Sequence, residues 1–210
     1  YLGAKSVCPS VTMKVQFVGS WSDPTLEAEA AKALIDKGAV MISQHSDNTT
    51  PATTAQERGV FHTGYNNDMT AVAPKASLLS CRIDWTNYFY TFIANYINGV
   101  ENPSDYSGEM AKGEVVVTEL NEAIAAPGTK EKLAEVEAKI ASGEIQVFDT
   151  STFTVEGKEL THAFALDTNG DFTPDSEEAV FDGAFHESYF QSAPYFALQI
   201  DGITWLNAAF

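Results

Sequence analysis

Short apolar runs alternate with helical patterns along the first half of the chain. Four runs rich in β-branched and aromatic side chains predict strands at residues 14–18, 40–43, 60–64 and 77–83. Between the first two, Leu26, Ala30 and Leu34 recur at helical spacing behind Asp23 and Pro24, an N-cap and a first-turn proline. Strands that alternate with helices predict an α/β fold, in which a parallel sheet is flanked by helices on both faces.

Two further helical patterns lie in this half. Residues 53–58 predict a short helix that ends at Gly59, and residues 86–98 predict a longer one. The longer helix carries five apolar residues on the side that we expect to face the protein interior: Phe89, Phe92, Ile93, Tyr96 and Ile97.

The second half of the chain predicts a mixed α+β part. Residues 114–118 predict a strand, and residues 129–142 predict a helix with Thr129 as its N-cap. The inward stripe of this helix consists of Leu133, Val136 and Ile140. Glu156-Gly157 lies between two short strand patterns and indicates a hairpin. Residues 164–210 are acidic and rich in aromatic rings, which we expect to pack on a core or a partner.

The charge balance narrows the choice of partners. The chain has 12 Lys and Arg residues against 29 Asp and Glu residues, which gives a net charge of −17. Such a surface repels nucleic-acid phosphates and anionic lipid headgroups, so we expect neither as a partner. Cys8 and Cys81 are predicted to be small buried apolar residues, because neither lies in a metal or redox motif.

Polar side chains follow each of the four predicted strands. The carboxyl ends of parallel strands meet at one edge of the sheet, which is where open α/β folds bind ligands. We therefore predict that five residues line a ligand site: Trp21, Asp47, Asn66, Asp68 and Trp85. Indole rings and hydrogen-bonding groups together suit a flat, polar, uncharged ring compound with hydroxyls. The alternative is local, since Asn66 and Asp68 can simply form a turn and Asp23 can simply cap a helix.

Six segments resemble, in order and spacing, the basic membrane protein family: GAKSVCP, VGSWSDP, EAAKALIDKGAVMISQHSD, GVFHTGYNNDM, APKASLLSCRIDW and DYSGEMAKGEV. The resemblance covers about residues 1–148. It implies a type I periplasmic-binding-protein fold and a substrate-binding lipoprotein of an ABC transporter. Such a protein captures a purine nucleoside or base between two lobes and delivers it to an ABC permease, outside the cytoplasm, either lipid-anchored at the outer face of the cell membrane or periplasmic. Asn66 stands where the family often has an Asp that contacts the ligand sugar.

The resemblance also implies that the chain is part of a longer protein. Residues 1–102 would be the second ligand-binding lobe, incomplete at its N-terminus, and residues 103–148 the hinge and the return to the first lobe. Residues 149–210 would be a C-terminal hairpin with an aromatic, acidic extension. The missing first lobe would then be a partner of this chain. Without that lobe, the stripe at 133, 136 and 140 would favour self-association.

Catalytic motifs are missing from the sequence. There is no GxSxG nucleophile motif and no glycine-rich phosphate loop. The histidines are not spaced as zinc ligands, and His62 is predicted to be a satisfied interior residue. We therefore predict a binding protein without catalytic residues or a required cofactor. A ligand-binding sensor domain and a nucleoside hydrolase are the alternatives.

One acidic stretch has the spacing of a calcium-binding loop. Positions 1, 3, 5, 9 and 12 of an EF-hand-type loop would be filled by Asp167, Asn169, Asp171, Asp175 and Glu178. Phe172 stands where such a loop needs glycine for its sharp turn, and the preceding residues have a strand pattern. The stretch therefore predicts either a Ca²⁺ site or a solvated acidic turn.

Overall fold

The computed structural model of the chain describes residues 1–104, 106–164, 175, 177–186 and 198–207. The helices of this part are α1 (Leu2–Val7), α2 (Pro24–Asp36), α3 (Thr50–Arg58), α4 (Thr86–Ile97) and α5 (Thr129–Ala141). Its strands are β1 (Met13–Val15), β2 (Met41–Ser43), β3 (Phe61–Tyr65), β4 (Ser77–Ile83), β5 (Val115–Val117), β6 (Val180–Phe181), β7 (Ala184–Phe185) and β8 (Ile203–Trp205). Two compact units result, one from residues 16–142 and one from residues 1–15 with 143–209. No helix of the described part has both the length and the apolar character needed to cross a membrane.

A four-stranded sheet organises the unit of residues 16–142. Its order is β2-β3-β4-β5, with the first three strands parallel and β5 antiparallel beside β4. The register places Ser43 opposite Thr63 and Tyr65 opposite Cys81. The carboxyl ends of β2, β3 and β4 therefore share one edge. The α/β prediction, a parallel sheet flanked by helices, is confirmed.

Small side chains let α3 approach the sheet closely. Ala52 and Ala55 of α3 are fully buried with Ile42 and Met69, and Leu34 and other residues near the end of α2 pack on the same cluster. An alanine on a helix face leaves room for a close helix–sheet contact. This packing fixes the ends of β2 and β3, from which the candidate site is built.

The N-terminus of α2 has the predicted cap. The Asp23 carboxylate accepts hydrogen bonds from the backbone N–H groups of Thr25 and Leu26, both at 3.0 Å, and Pro24 is the first helical residue. These two N–H groups belong to the first turn of the helix and have no partner within it. The cap therefore satisfies donors that water would otherwise have to solvate.

Removal of this cap gives a stability prediction. We expect Asp23→Ala to lower the free energy of unfolding by about 1 kcal/mol, because both N–H groups lose their acceptor. Asp23→Asn is the matched control, since its side-chain oxygen can still accept, and it should retain most of the stability. Urea unfolding of the three proteins measures both values, and an alanine variant as stable as the asparagine variant would contradict the capping role.

The predicted inward face of α4 is exposed at four of its five residues and half-buried at Phe92, so that prediction is wrong for most of the face. The exposed fraction of the residue is 54% for Phe89, 56% for Ile93 and 81% for Tyr96, and no residue of α4 is buried. An apolar face shows which side of a helix can be covered, but not which element covers it. In the described part of the chain, α4 packs chiefly through its first turns and not along the whole stripe.

Two other predictions differ from the structure: the first predicted strand is not part of the four-stranded sheet, and the two cysteines are not buried. The strand predicted at 14–18 is observed as Met13–Val15, and it pairs in parallel with β8. A strand requires a partner, and the partner here lies almost the whole chain away in sequence. Cys8 and Cys81 were expected to be buried, but both are exposed free thiols.

The turn predicted at Glu156-Gly157 is confirmed, but the strand patterns on either side of it, which lie within the described residues, are joined by a single bridge, between Val155 and Lys158, and form no strands. Val155 and Lys158 exchange both backbone hydrogen bonds, at 2.8 and 3.1 Å, and both central residues have positive φ angles, 52° and 73°. The Asp201 carboxylate accepts from the Thr154 hydroxyl and the Gly157 N–H, which holds the pKa of Asp201 below its usual range. The Asp201 carboxylate, which is distant in sequence, therefore stabilises this turn.

The N-cap of α5 is Gly128, with φ at 84°, and not Thr129. Thr129 is the first helical residue, and its hydroxyl donates to the Ala126 carbonyl at 2.7 Å. Leu133, Val136 and Ile140 are half-buried.

The domain assignment stays a prediction, namely residues 1–102 as a lobe, 103–148 as the hinge and return segment, and 149–210 as an extension. Self-association through α5 also stays a prediction.

Candidate ligand-binding site

The loop after β2, at the carboxyl edge of the sheet, is joined directly to the segment before α2. Trp21 lies in the segment before α2, and Asp47 lies in the loop after β2. The backbone N–H of Asp47 donates to the carbonyl of Trp21 at 2.8 Å. The structure therefore brings together two of the five predicted site residues.

A row of three aromatic rings extends from this junction. The ring centroids of Trp21 and His45 are 6.3 Å apart, and those of His45 and Tyr65 are 4.3 Å apart. Trp21 is 65% exposed, so one face of its ring is available to a ligand. His45 and Tyr65 were not predicted as site residues. The signal that could have identified them is their position at the ends of β2 and β3, next to the predicted site residues Asp47 and Asn66.

Asn66 and Asp68 shape the turn that follows β3. Asn66 has a left-handed backbone conformation, with φ at 61°, which asparagine tolerates better than most residues. Its N–H donates to the Cys81 carbonyl at 2.6 Å, and its side-chain oxygen lies 3.5 Å from the Ile83 N–H. The Asp68 carboxylate accepts from the Thr70 N–H at 2.8 Å. The turn geometry is observed, and ligand contact by these two residues stays a prediction.

Trp85 belongs to a second aromatic cluster, at the start of α4. Its ring lies 5.5 Å from that of Tyr88 and 6.2 Å from that of Phe89, measured between centroids. Tyr88 also contacts Phe92, at 4.2 Å, and Tyr106, at 5.3 Å. Trp85 is half exposed and occupies the position just before the helix. Its role as a pocket wall stays a prediction.

Two carboxylates stabilise the backbone on either side of this cluster: Asp84 directly before Trp85, and Glu114 directly before β5. Asp84 accepts from the Thr86 N–H at 3.0 Å, and hydrogen bonds from Thr86, with help from Arg82, hold the pKa of Asp84 below its usual range. The buried Glu114 carboxylate accepts from the Tyr106 hydroxyl and from the Glu109 N–H. The hydrogen bond to Glu114 raises the pKa of the Tyr106 phenol above its ordinary value.

A buried polar row lies beneath the loop after β2. The side chain of His62 is fully buried, with Nε2 2.8 Å from the Gln44 oxygen and Nδ1 3.2 Å from the Ser77 hydroxyl. The Gln44 amide nitrogen donates to the carbonyls of Ser46, at 3.0 Å, and Asn48, at 2.7 Å. Since the Gln44 oxygen can only accept, His62 Nε2 carries the proton. Burial lowers the pKa of His62 to about 4, and the prediction of a satisfied interior histidine is confirmed.

The predicted calcium loop lies largely outside the described residues, which include Asp175 and Glu178 but not Asp167, Asn169 or Asp171. One Glu178 oxygen accepts from the N–H groups of Ala163 and Val180, and the other lies 2.9 Å from His162 Nδ1. The backbone bond from Ala163 is the main cause of the lowered pKa of Glu178. Among the described residues, no three His, Cys, Asp or Glu side chains form a metal-binding group. Calcium binding stays a prediction.

Comparison with known proteins identifies the family. A family model described as PnrA-like ABC transporter substrate-binding protein matches residues 1–151 of the 210 residues. A purine-binding protein of Brucella abortus (strain 2308) is 36% identical over 163 residues, which cover 77% of this chain and 46% of that protein. A putative ABC transporter glucose-binding protein of Haloferax volcanii is 32% identical over 159 residues, which cover 76% of this chain and 40% of that protein. The chain thus spans under half the length of either relative.

A solved structure shows the same fold. The chain resembles an ABC transporter solute-binding protein from Conexibacter woesei DSM 14684 with a TM-score of 0.52 and 19% sequence identity, over 69% of this chain and 49% of that chain. This likeness supports the periplasmic-binding-protein architecture, and the family match confirms the resemblance found in the sequence. The chain belongs to the family of PnrA-like ABC transporter substrate-binding proteins.

Proposed function

We propose that this chain forms one wall of the ligand site of an ABC importer's solute-binding protein, and that the ligand is a purine nucleoside or nucleobase. The observation that carries the proposal is the row of Trp21, His45 and Tyr65 beside Asp47 and Asn66, at the sheet edge where α/β folds bind ligands. The name of the Brucella abortus relative, a purine-binding protein, supports the choice of a purine.

The chemistry of this wall matches a neutral heterocycle. A purine is flat and stacks on exposed aromatic faces, while its ring nitrogens, amino groups and ribose hydroxyls need amide and carboxylate partners. A net charge of −17 opposes the approach of an anion, so a nucleoside or base suits the site better than a nucleotide. The ligand is bound and released unchanged, by closure of two lobes, of which the first is supplied by the remainder of the full-length protein.

The proposal also specifies the cellular location in which the protein acts. A solute-binding protein captures its ligand outside the cytoplasm, in the periplasm or as a lipid-anchored protein at the outer face of the cell membrane, and then docks on an ABC permease. The family match supports this setting. A sensor domain would share the ligand wall but would lack delivery of the ligand to a permease.

Calorimetric titration of the full-length protein tests the ligand. Adenosine, inosine or adenine should bind with one site per chain, and AMP should bind at least about tenfold more weakly, because of the acidic surface. Glucose serves as the comparison ligand, since the Haloferax volcanii relative is named for it. Binding of glucose without any purine would overturn the assignment, and chromatographic detection of free base and ribose from a bound nucleoside would instead indicate a hydrolase.

A further inference from the structure

We propose that Glu27 is a positioning residue for the ligand wall: its buried carboxylate holds the loops that carry Trp21 and Asp47 in a fixed relation. This inference rests on the proposed function, because it assigns a role in the same site. Glu27 lies in the first turns of α2 and is only 3% exposed. In sequence it is an ordinary glutamate in a helix, and only the fold shows that it faces inward.

The carboxylate accepts three hydrogen bonds from two different loops. Oε1 accepts from the Asp23 N–H at 2.8 Å and from the Asn48 side-chain amide at 2.5 Å. Oε2 accepts from the Ser46 hydroxyl at 2.8 Å. Asp23 ends the segment that contains Trp21, whereas Ser46 and Asn48 flank Asp47. One side chain therefore joins the two segments that carry the predicted ligand residues.

The loop after β2 is held from a second side as well. Gln44 donates to the carbonyls of Ser46 and Asn48, so this loop is fixed through its backbone by Gln44 and through its side chains by Glu27. Above these bonds, the Asp47 N–H donates to the Trp21 carbonyl. Trp21 itself is mostly exposed, so its position depends on such backbone and loop contacts more than on core packing.

The three donors that surround Glu27 are uncharged: a backbone N–H, a hydroxyl and a side-chain amide. A buried carboxylate is costly unless hydrogen bonds compensate its lost hydration, and here two loops provide those bonds. An apolar side chain of similar size would leave the three donors without this acceptor. A glutamine could still accept through its oxygen and donate to the Ser46 hydroxyl, so glutamine and leucine separate hydrogen bonding from packing.

The experiment compares Glu27→Leu, Glu27→Gln and Glu29→Gln in the full-length protein. Glu29 is an exposed carboxylate on the same helix and provides the charge-matched control. We expect Glu27→Leu to weaken the affinity for adenosine or inosine by at least about tenfold, Glu27→Gln by less than about threefold, and Glu29→Gln not at all. Calorimetry gives the affinities, and thermal unfolding checks that each variant is folded.

Hydrogen exchange of the Asp47 amide gives a readout that needs no ligand. This amide donates to the Trp21 carbonyl, so its exchange rate reports whether the two loops stay joined. Glu27→Leu should raise that rate, while Glu27→Gln should leave it near the wild-type value. A rate unchanged by Glu27→Leu overturns the positioning role. If the wild type binds no purine, the proposed function fails, but the exchange rate of the Asp47 amide still tests whether Glu27 holds the two loops together.

Ser46→Ala keeps the proposal testable if Glu27→Leu does not fold. It removes one of the three donors and leaves the carboxylate in place, so we expect a smaller loss of affinity and a smaller rise in Asp47 exchange. Wild-type affinity together with wild-type exchange in Ser46→Ala would then overturn the role of Glu27.

Discussion

Acidification from pH 7 to pH 4 is expected to remove about 3 kcal/mol from the free energy of unfolding through His62 alone. The ordinary histidine pKa is 6.5, and burial lowers the pKa of His62 to about 4. Between these values the unfolded chain binds a proton that the folded chain does not bind. Stability is therefore fully present above pH 6.5, falls as the pH drops towards 4, and is lost below that value.

The pH window separates this effect from that of the aspartates. Asp84 and Asp201 also have lowered pKa values, because they accept hydrogen bonds from Thr86 and from Thr154, but their ordinary pKa is 3.8. Their contributions to stability therefore fall away mainly at and below pH 4, after most of the His62 contribution has gone.

Urea unfolding at several pH values between 7 and 4 measures the His62 effect, with His62→Gln as the matched variant. Glutamine can donate to the Gln44 oxygen as His62 does, but it cannot be protonated. Between pH 7 and pH 4, the free energy of unfolding of this variant should therefore fall by about 3 kcal/mol less than that of the wild type. NMR titration of the His62 ring provides an independent check. A His62 ring that titrates near 6.5, or equal pH slopes for the two proteins, would contradict the prediction.

Local signals in the sequence predicted the elements whose causes are local. Asp23 and Pro24 mark the start of α2, Gly59 in the left-handed conformation ends α3, and β4 has the predicted bounds, Ser77–Ile83. Each depends on a cap, a backbone conformation or a run of residues that is visible within a few positions. The parallel sheet followed from the alternation of such elements.

Features that depend on distant partners were not predicted. The partner of β1 is β8, near the other end of the chain, and nothing in residues 14–18 specifies it. The apolar face of α4 has the same limitation, because periodicity shows an apolar side without showing its cover. The antiparallel pairing of β5 with β4 likewise depends on the path of the chain after α4.

The candidate site shows the same division. Asp47 could be predicted because polar residues after a strand lie at the ligand-binding edge of a parallel sheet. Trp21 was predicted for the same reason, but it follows β1, which lies outside the four-stranded sheet, and it adjoins that edge through its hydrogen bond with Asp47. Glu27 and Gln44 could not, because their burial depends on two loops that meet above them. In sequence, a glutamate in the first turns of a helix is typical of a solvated residue near the helix dipole. The supporting residues of a site are therefore harder to predict than the residues that face the ligand.

Removal of the Trp21 ring is expected to weaken purine or nucleoside binding by about tenfold to a hundredfold, since stacking of a base on an aromatic side chain contributes about 1–3 kcal/mol. The reason is the exposed face of Trp21 at the end of the row with His45 and Tyr65. Trp21→Phe keeps a ring at this place and should retain most of the affinity, so its comparison with Trp21→Ala isolates stacking. Calorimetry on the full-length protein measures both variants.

Tyr90→Ala is the control for this experiment, and Trp85→Ala tests the second aromatic cluster. Tyr90 is an exposed aromatic residue on α4, 77% accessible, and its removal should leave the affinity unchanged. If Trp85 also lines the pocket, Trp85→Ala should cost about as much as Trp21→Ala, because each indole would cover one part of the same ligand. A loss confined to Trp21→Ala would restrict the ligand wall to the row at the ends of β2 and β3. Wild-type affinity in Trp21→Ala, or a Trp21→Phe variant as weak as Trp21→Ala, would contradict stacking on this row.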